Sequence, residues 1–255
     1  MNSFASSSPD PTPPAAAIIV AGGSGRRMGG ASSLRKQYLE IDGEPVLLRA
    51  LRPFLAHPAI ASVVAVLPPD DLTDLPEWLK NLPIEIVAGG EERGDSVWNG
   101  LAALADWTGI ALIHDGARPF VTREIVDRVL ARAGGGGAIA AVRVTDTIKE
   151  VDEAGRIVGT ADRSRLWQAQ TPQGFPLRVV REAYERARRE GWTGTDDASV
   201  CERYGVSVVV VEGSPHNIKI TNPSDLAIAN AIAARLRGAG GGPISAMGTA
   251  AFPSG

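Results

Sequence analysis

Residues 17–28 read Ala-Ile-Ile-Val-Ala-Gly-Gly-Ser-Gly-Arg-Arg-Met, and this stretch decides the fold. Its first half is short, apolar and β-branched, the mark of a buried strand. A glycine-rich turn follows. Glycine lets the chain come close to a ligand and take positive φ, so the N–H groups of such a turn can surround phosphate oxygens. Arg26 and Arg27 add fixed charge and forked donors, and Lys36 follows in Arg35-Lys36-Gln37-Tyr38-Leu39. A strand, a glycine turn and three cations point to a nucleoside triphosphate site.

Two familiar phosphate loops fit less well. A P-loop needs Gly-x-x-x-x-Gly-Lys-Ser/Thr, and no such lysine occurs. The dinucleotide fingerprint Gly-x-Gly-x-x-Gly matches at Gly23 and Gly25, but Met28 holds the third position, where glycine permits close helix–strand packing. On the loop alone, an ordinary turn with solvated arginines stays open.

Outside this stretch, short Val- and Ile-rich runs alternate with helical patterns. Residues 16–20, 63–67, 84–88, 110–114, 138–142 and 206–211 read as strands, and 46–56, 96–104, 123–133, 177–190, 196–204 and 224–236 as helices. Thr122 and Ser224 stand where N-caps belong. This alternation predicts an α/β fold, a mostly parallel sheet with helices on both faces. Ligands of such sheets sit beyond the carboxyl ends of the strands. The glycine loop and His114-Asp115 both follow strands, so both should face one crevice.

Residues 145–158 break the alternation. Two short β-type runs flank Asp152-Glu153-Ala154-Gly155, a turn signal. This predicts a projecting hairpin, an arm over about 144–163. An isolated hairpin is marginal in water, and a second subunit is its simplest support.

The 255 residues suit one domain, expected over 15–237, with residues 1–14 and 238–255 expected as disordered tails rich in Ser, Pro or Gly. A net charge of −3 gives no global pull toward nucleic acid or membrane. No apolar run reaches the roughly 18 residues of a membrane helix, and residues 1–14 lack the basic and apolar regions of a signal peptide. Cys201 is the single cysteine, which fits a reducing cytoplasm, and a buried packing role is expected for it.

Five polar clusters stand out: Gly22–Arg27 with Lys36; Gly89–Ser96, a charged glycine turn leading into a helix, where capping could explain Ser96; His114–Pro119, with Asp115 at a strand end able to orient a nucleotide or contact Mg²⁺; Asp146-Thr147 with Asp162-Arg163 at the two ends of the hairpin; and Asn217–Thr221 before the last helix, with Lys219. His114 is expected to be structural. No zinc-ligand spacing and no nucleophile–base pair occurs. The pattern is phosphate chemistry driven by cations, in which positioning and charge stabilisation do the catalysis.

Together these segments resemble the 2-C-methyl-D-erythritol 4-phosphate cytidylyltransferases of the non-mevalonate isoprenoid pathway, over roughly residues 16–234. The resemblance rests on Gly23–Met28, Lys36-Gln37-Tyr38, His114–Pro119, Asp146–Lys149, Gln170-Thr171-Pro172-Gln173, Thr195–Ser199 and Asn217–Thr221, seven segments in order. It implies a Rossmann-like nucleotidyltransferase fold and Mg²⁺-dependent transfer of CMP from CTP to the sugar phosphate, with pyrophosphate leaving. By similarity, Arg27, Lys36, Arg163 and Lys219 are catalytic. Ala21, Gly22, Gly23, Gly25, Gly90, Glu91, Ser96, Asp115 and Gly116 line the CTP pocket. Arg118, Thr147, Arg163, Thr171, Thr195 and Lys219 hold the methylerythritol phosphate. Mg²⁺ sits mainly on the phosphates, with Asp115 as its best protein ligand and Asp225 a weaker one. The arm crosses to a partner subunit, so that Thr147 and Arg163 complete the neighbour's site. The chain departs from the family's usual pattern at Val20-Ala21-Gly22-Gly23, at Arg35 and at Glu91. A stand-alone enzyme is expected, not a fusion with a cyclodiphosphate synthase. Ribitol-5-phosphate cytidylyltransferase is the alternative, and a non-catalytic nucleotide-binding module is another.

Overall fold

The structure, a computed structural model, describes residues 14–22 and 35–239. The glycine-loop residues Gly23, Gly25 and Arg27 lie outside the described residues, as do the two tails apart from Pro14 and the last helical turn.

Eleven strands and seven α-helices are described: β1 (Ala15–Val20), β2 (Glu40–Ile41), β3 (Glu44–Pro45), α1 (Val46–Leu55), β4 (Ile60–Leu67), α2 (Glu77–Lys80), β5 (Glu85–Ala88), α3 (Arg93–Ala103), β6 (Ile110–Asp115), α4 (Arg123–Ala133), β7 (Gly137–Arg143), β8 (Lys149–Val151), β9 (Ile157–Thr160), β10 (Trp167–Pro176), α5 (Leu177–Glu190), α6 (Asp197–Arg203), β11 (Val208–Glu212) and α7 (Pro223–Ala239). The central sheet has the order β11-β7-β10-β6-β1-β4-β5. β1 pairs in parallel with β4 and β6, β4 with β5, and β7 with β11, while β10 runs antiparallel between β6 and β7. The mostly parallel sheet expected from the sequence is present, with β10 as an unexpected antiparallel member.

β1 shows why the sheet is covered on both faces. Ala15 through Ile19 are all fully buried. Alternate residues point to opposite faces of a strand. Ala15, Ala17 and Ile19 pack with Leu47, Leu51 and Phe54 of α1 and Val126 and Val129 of α4. Ala16 and Ile18 pack with Val97 and Leu101 of α3 and Val180 and Tyr184 of α5. Full burial of each isoleucine contributes roughly 1.5–3 kcal/mol. α7 lies apart and closes a smaller cluster around Ile41, Phe120 and Ile220.

The chain runs outward from β1 to β4 and β5, then returns to β6 on the other side of β1. This reversal opens a crevice between the carboxyl ends of β1 and β6, the place where open α/β sheets bind ligands.

The arm is present as the antiparallel pair β8–β9, turned at Asp152–Gly155 with Gly155 at φ 76°. Val151, Ile157 and Val158 are 56 to 66% exposed, a bare apolar surface on an element with no packed face of its own.

Two expected caps are corrected. α3 begins three residues before Ser96, and Glu92 and Asp95 form its capping box. At α7 the Asp225 N–H donates to Asn222 Oδ1, so Asn222 caps the helix and Ser224 lies inside the first turn. Thr122 precedes α4 as expected, but its side chain makes no capping hydrogen bond.

Candidate active site

The glycine side of the crevice is built by close backbone approach. A Cβ on Gly22 would lie 2.6 Å from Ser96 Oγ and 3.3 Å from Gly89 Cα, so only glycine lets these turns meet. Ser96 is 2% exposed; its hydroxyl donates to Glu92 O at 3.2 Å and accepts from Gly90 N–H at 3.1 Å. Ser96 therefore fastens the Gly89-Gly90 turn instead of capping a helix. Gly116 N–H donates to Val20 O at 2.9 Å, and a Cβ there would meet Ala21 Cβ at 3.0 Å. Ala21, Gly22, Gly90, Ser96 and Gly116 thus form one wall, with Glu91 exposed at its rim.

Asp115 ends β6 at the centre of the crevice and is 6% exposed. Three cations surround it. Arg93 Nε donates to Oδ1 at 3.1 Å, Lys219 Nζ lies 2.9 Å from Oδ2, and Arg118 Nε lies 3.6 Å from Oδ2. Burial alone would raise the carboxyl's pKa, but Arg93, Lys219 and Arg118 outweigh it and hold the group far below the usual carboxylate range. Arg93 also makes a bidentate pair with Asp197, at 2.9 and 2.7 Å, and Tyr184 Oη donates to Asp197 Oδ1 at 2.6 Å. Burial opposes the Arg93 charge, yet Asp197 and Asp115 together raise its pKa well above normal. Arg93, Arg118 and Lys219 against Asp115 and Asp197 leave this cluster at 3 − 2 = +1, a sign that suits a phosphorylated ligand.

The backbone delivers these side chains from separate segments. Ile220 N–H donates to Ala117 O at 2.8 Å, laying residues 217–220 beside the end of β6 and bringing Lys219 to Asp115. Arg118 Nη1 donates to Asn217 O at 2.8 Å. Asn217, fully buried, donates to Thr171 O at 2.9 Å. Thr171 Oγ1 accepts from Asp115 N–H at 3.0 Å and donates to His114 Nδ1 at 2.9 Å, while His114 Nε2–H donates to Arg118 O at 3.1 Å. Thr171 is 4% exposed, so its hydroxyl is engaged within the wall. His114 is neutral: burial pushes its pKa down to about 4. Its structural role is as expected, and Phe54 packs on its ring at 5.0 Å.

The remaining expected residues sit around this centre. Lys36 opens a short 3₁₀ turn whose Gln37 and Tyr38 side chains both bond Asp71 Oδ2. Thr195 is exposed just before α6. Thr147 and Arg163 share the base of the arm, where Arg163 Nη1 donates to Thr145 O at 2.6 Å. Among the described residues no hydrogen bond or ion pair joins either of them to the Asp115 cluster. Asp225 Oδ2 accepts from Thr221 N–H, Thr221 Oγ1 and Asn222 N–H at 2.6 to 2.9 Å, which fixes this carboxylate at the start of α7. Cys201 is fully buried, and burial pushes its thiol up to about 12.

Arg93, Asp197 and Tyr184 were not singled out from the sequence as site residues. The signal for two of them was present: Arg93 lies in the charged glycine turn, and Asp197 in the Thr195–Ser199 segment. Nothing in the sequence pairs them.

Among the described residues no cluster of three or more His, Cys, Asp or Glu could hold a metal. Asp115, already paired with three cations, offers at most one ligand. This donor set fits an ion carried by substrate phosphates and not one held by the protein alone. No described helix is long and apolar enough to cross a membrane.

A glycine wall and a cation-ringed carboxylate at the switch point of this sheet define the class, an α/β nucleotidyltransferase. The family model for 2-C-methyl-D-erythritol 4-phosphate cytidylyltransferase matches residues 15–235. The enzyme of that name from Syntrophus aciditrophicus is 47% identical over 207 residues, covering 78% of this chain and 88% of its own. That from Geobacillus kaustophilus is 46% identical over 208 residues, covering 80% and 90%. The crystal structure of the 4-diphosphocytidyl-2C-methyl-D-erythritol synthase from Anaerococcus prevotii superposes with a TM-score of 0.78 at 30% identity, covering 88% of this chain and 97% of that one. The chain belongs to the 2-C-methyl-D-erythritol 4-phosphate cytidylyltransferase family, as its seven motif segments indicated.

Proposed function

We propose that this protein transfers CMP from CTP to 2-C-methyl-D-erythritol 4-phosphate in isoprenoid precursor synthesis. An oxygen of the sugar phosphate attacks the α-phosphorus of CTP; the bond from that phosphorus to the β-bridging oxygen breaks, and pyrophosphate leaves. The observation that carries the reading is the family match across residues 15–235, which spans the whole Asp115–Arg118–Lys219 cluster.

Residue roles follow from charge and placement. The wall of Ala21, Gly22, Gly90, Glu91, Ser96 and Gly116 takes the nucleotide, joined by Gly23 and Gly25 on the strength of the family motif. Lys36, and by the same motif Arg27, neutralise charge developing on the triphosphate. Lys219, drawn to Asp115, is positioned where the incoming phosphate meets the nucleotide, and Arg118 lies beside it. Thr171 fixes this wall from behind, and Thr195 stands at the acceptor side. Mg²⁺ on the phosphates would lower the negative charge the two phosphate groups present to each other, with Asp115 available as one ligand. The arm, with its bare Val151, Ile157 and Val158, crosses to a second copy in a homodimer and brings Thr147 and Arg163 to the partner's site. A cytoplasmic setting belongs to this reading, supported by a single buried cysteine.

The test is pyrophosphate release from CTP with a panel of alcohol phosphates. Release with 2-C-methyl-D-erythritol 4-phosphate is expected. Release with ribitol 5-phosphate alone would reassign the substrate, and none with any acceptor would leave a binding protein.

A further inference from the structure

We infer that Arg93 is a positioning residue for the transfer reaction: locked by Asp197 and Tyr184, it clamps the Asp115 carboxylate so that Lys219 is held at the reacting phosphates. The inference rests on the role proposed above for Lys219.

The argument is one of freedom removed in steps. A carboxylate turns readily about its last torsion, where the profile is broad and two-fold. A lysine ammonium on its flexible stem then follows whichever oxygen it is drawn to. Asp115 Oδ2 receives Lys219 at 2.9 Å, so the ammonium is only as well placed as that oxygen. Oδ1 is fixed by Arg93 Nε at 3.1 Å, and fixing one oxygen fixes the other.

Arg93 can do this because it has no freedom left itself. Both its terminal nitrogens bond the two oxygens of Asp197, a planar fork-to-fork pair that sets the guanidinium's orientation. Asp197 is fully buried and takes a further hydrogen bond from Tyr184. The start of α6 is fixed in turn by Gln173, whose side chain donates to Asp196 Oδ2 at 2.9 Å and accepts from Ala198 N–H at 2.8 Å. A chain of directional contacts thus runs from α5 and α6 through Arg93 and Asp115 to the Lys219 ammonium. A purely structural Arg–Asp pair would not need the third contact to Asp115.

The experiment is a double-mutant cycle in kcat/KM for the acceptor, with KM for CTP as the second readout, using whichever acceptor the wild type accepts. Arg93→Lys keeps the charge but loses the fork, and Asp197→Asn keeps the shape but loses the charge; folding of each is checked by circular dichroism. Each should lower kcat/KM by about 30-fold while KM for CTP stays within about twofold. In a Lys219→Ala background the same changes should cost less than about threefold, because coupled residues are non-additive. Undiminished losses in that background, or folded single variants with unchanged kcat/KM, would overturn the inference and leave the role of Lys219 intact. A Lys219→Ala variant with full activity would overturn the role of Lys219 and this inference with it.

Discussion

Acid should weaken this fold through one ring. His114 is fully buried under Phe54, with Nδ1 accepting from Thr171 and Nε2–H donating to the Arg118 carbonyl. Burial holds its pKa down at about 4, against an ordinary value of 6.5. The folded protein therefore keeps the ring neutral where the unfolded chain protonates it. The stabilisation is complete above pH 6.5, falls as the pH drops below that value, and stops falling below about pH 4. At about 1.4 kcal/mol per pKa unit, the full loss is on the order of 3 kcal/mol, of which about 2 kcal/mol appears between pH 7 and pH 5. Asp115 acts in a different window. Its folded pKa is depressed, so its contribution is present above the ordinary carboxylate value near 4 and is lost only at lower pH. Urea denaturation followed by circular dichroism at pH 7 and pH 5 isolates the histidine. Wild type should lose about 2 kcal/mol over that interval. His114→Gln, whatever its stability at pH 7, should lose less than about 0.5 kcal/mol from this source. A variant whose stability falls with acid as steeply as wild type would refute the argument, because the proton would then be binding elsewhere.

Three further outcomes follow from the site. Gly22→Ala places a methyl 2.6 Å from Ser96 Oγ and should raise KM for CTP by about tenfold with a smaller change in kcat, read by steady-state kinetics. Arg163→Ala and Lys219→Ala should each be nearly inactive alone, yet after subunit exchange a mixture should regain about a quarter of wild-type activity. Half the dimers would then be mixed, each with one intact site of two, by the symmetry of a two-fold dimer; no recovery after proven exchange would mean that the arm serves its own chain. Chelation with EDTA should abolish turnover, and calorimetry should detect Mg²⁺ binding only when CTP is present, since no described cluster holds a metal by itself.

Much of this architecture was legible in the sequence where local pattern and burial agree. α4 and α5 end where their apolar spacing ends, and β1, β4 and β6 are apolar, β-branched runs shorter than the roughly 10–12 residues of an ordinary helix. β10 was missed because Gln170, Thr171 and Gln173 are polar residues buried for their hydrogen bonds, which breaks the apolar pattern that marks a strand. The β2–β3 hairpin turns on Asp42-Gly43, both at positive φ, a standard hairpin signal, but its strands are two residues each and carry no alternation to frame it. Ser96 looked like a cap because a hydroxyl near a helix start usually is one; its bond to Gly90 N–H is set by a turn six residues earlier. Lys219 and Asp115 were both picked out, but their meeting depends on the backbone bond from Ile220 to Ala117, which is long-range and leaves no periodic trace. The Arg93–Asp197 pair, 104 residues apart, lies beyond sequence reasoning for the same reason.

The order in which this chain is made bears on the Asp115 cluster. Arg93, Asp115 and Arg118 are synthesised early, Asp197 later and Lys219 last, 219 − 115 = 104 residues after the carboxylate it meets. At roughly 5–20 residues per second, the ribosome needs roughly 5–20 s to cover that distance. Throughout that interval Asp115 has no Lys219, and for its first 197 − 115 = 82 residues Arg93 has no Asp197 to lock it. The nascent sheet can zip β1, β4, β5 and β6 together, but the carboxyl end of β6 must stay wet until the last segment arrives. The crevice cannot set before Ile220 has been made, and a chain halted before that residue would hold the strands of the parallel half-sheet but an unfinished mouth.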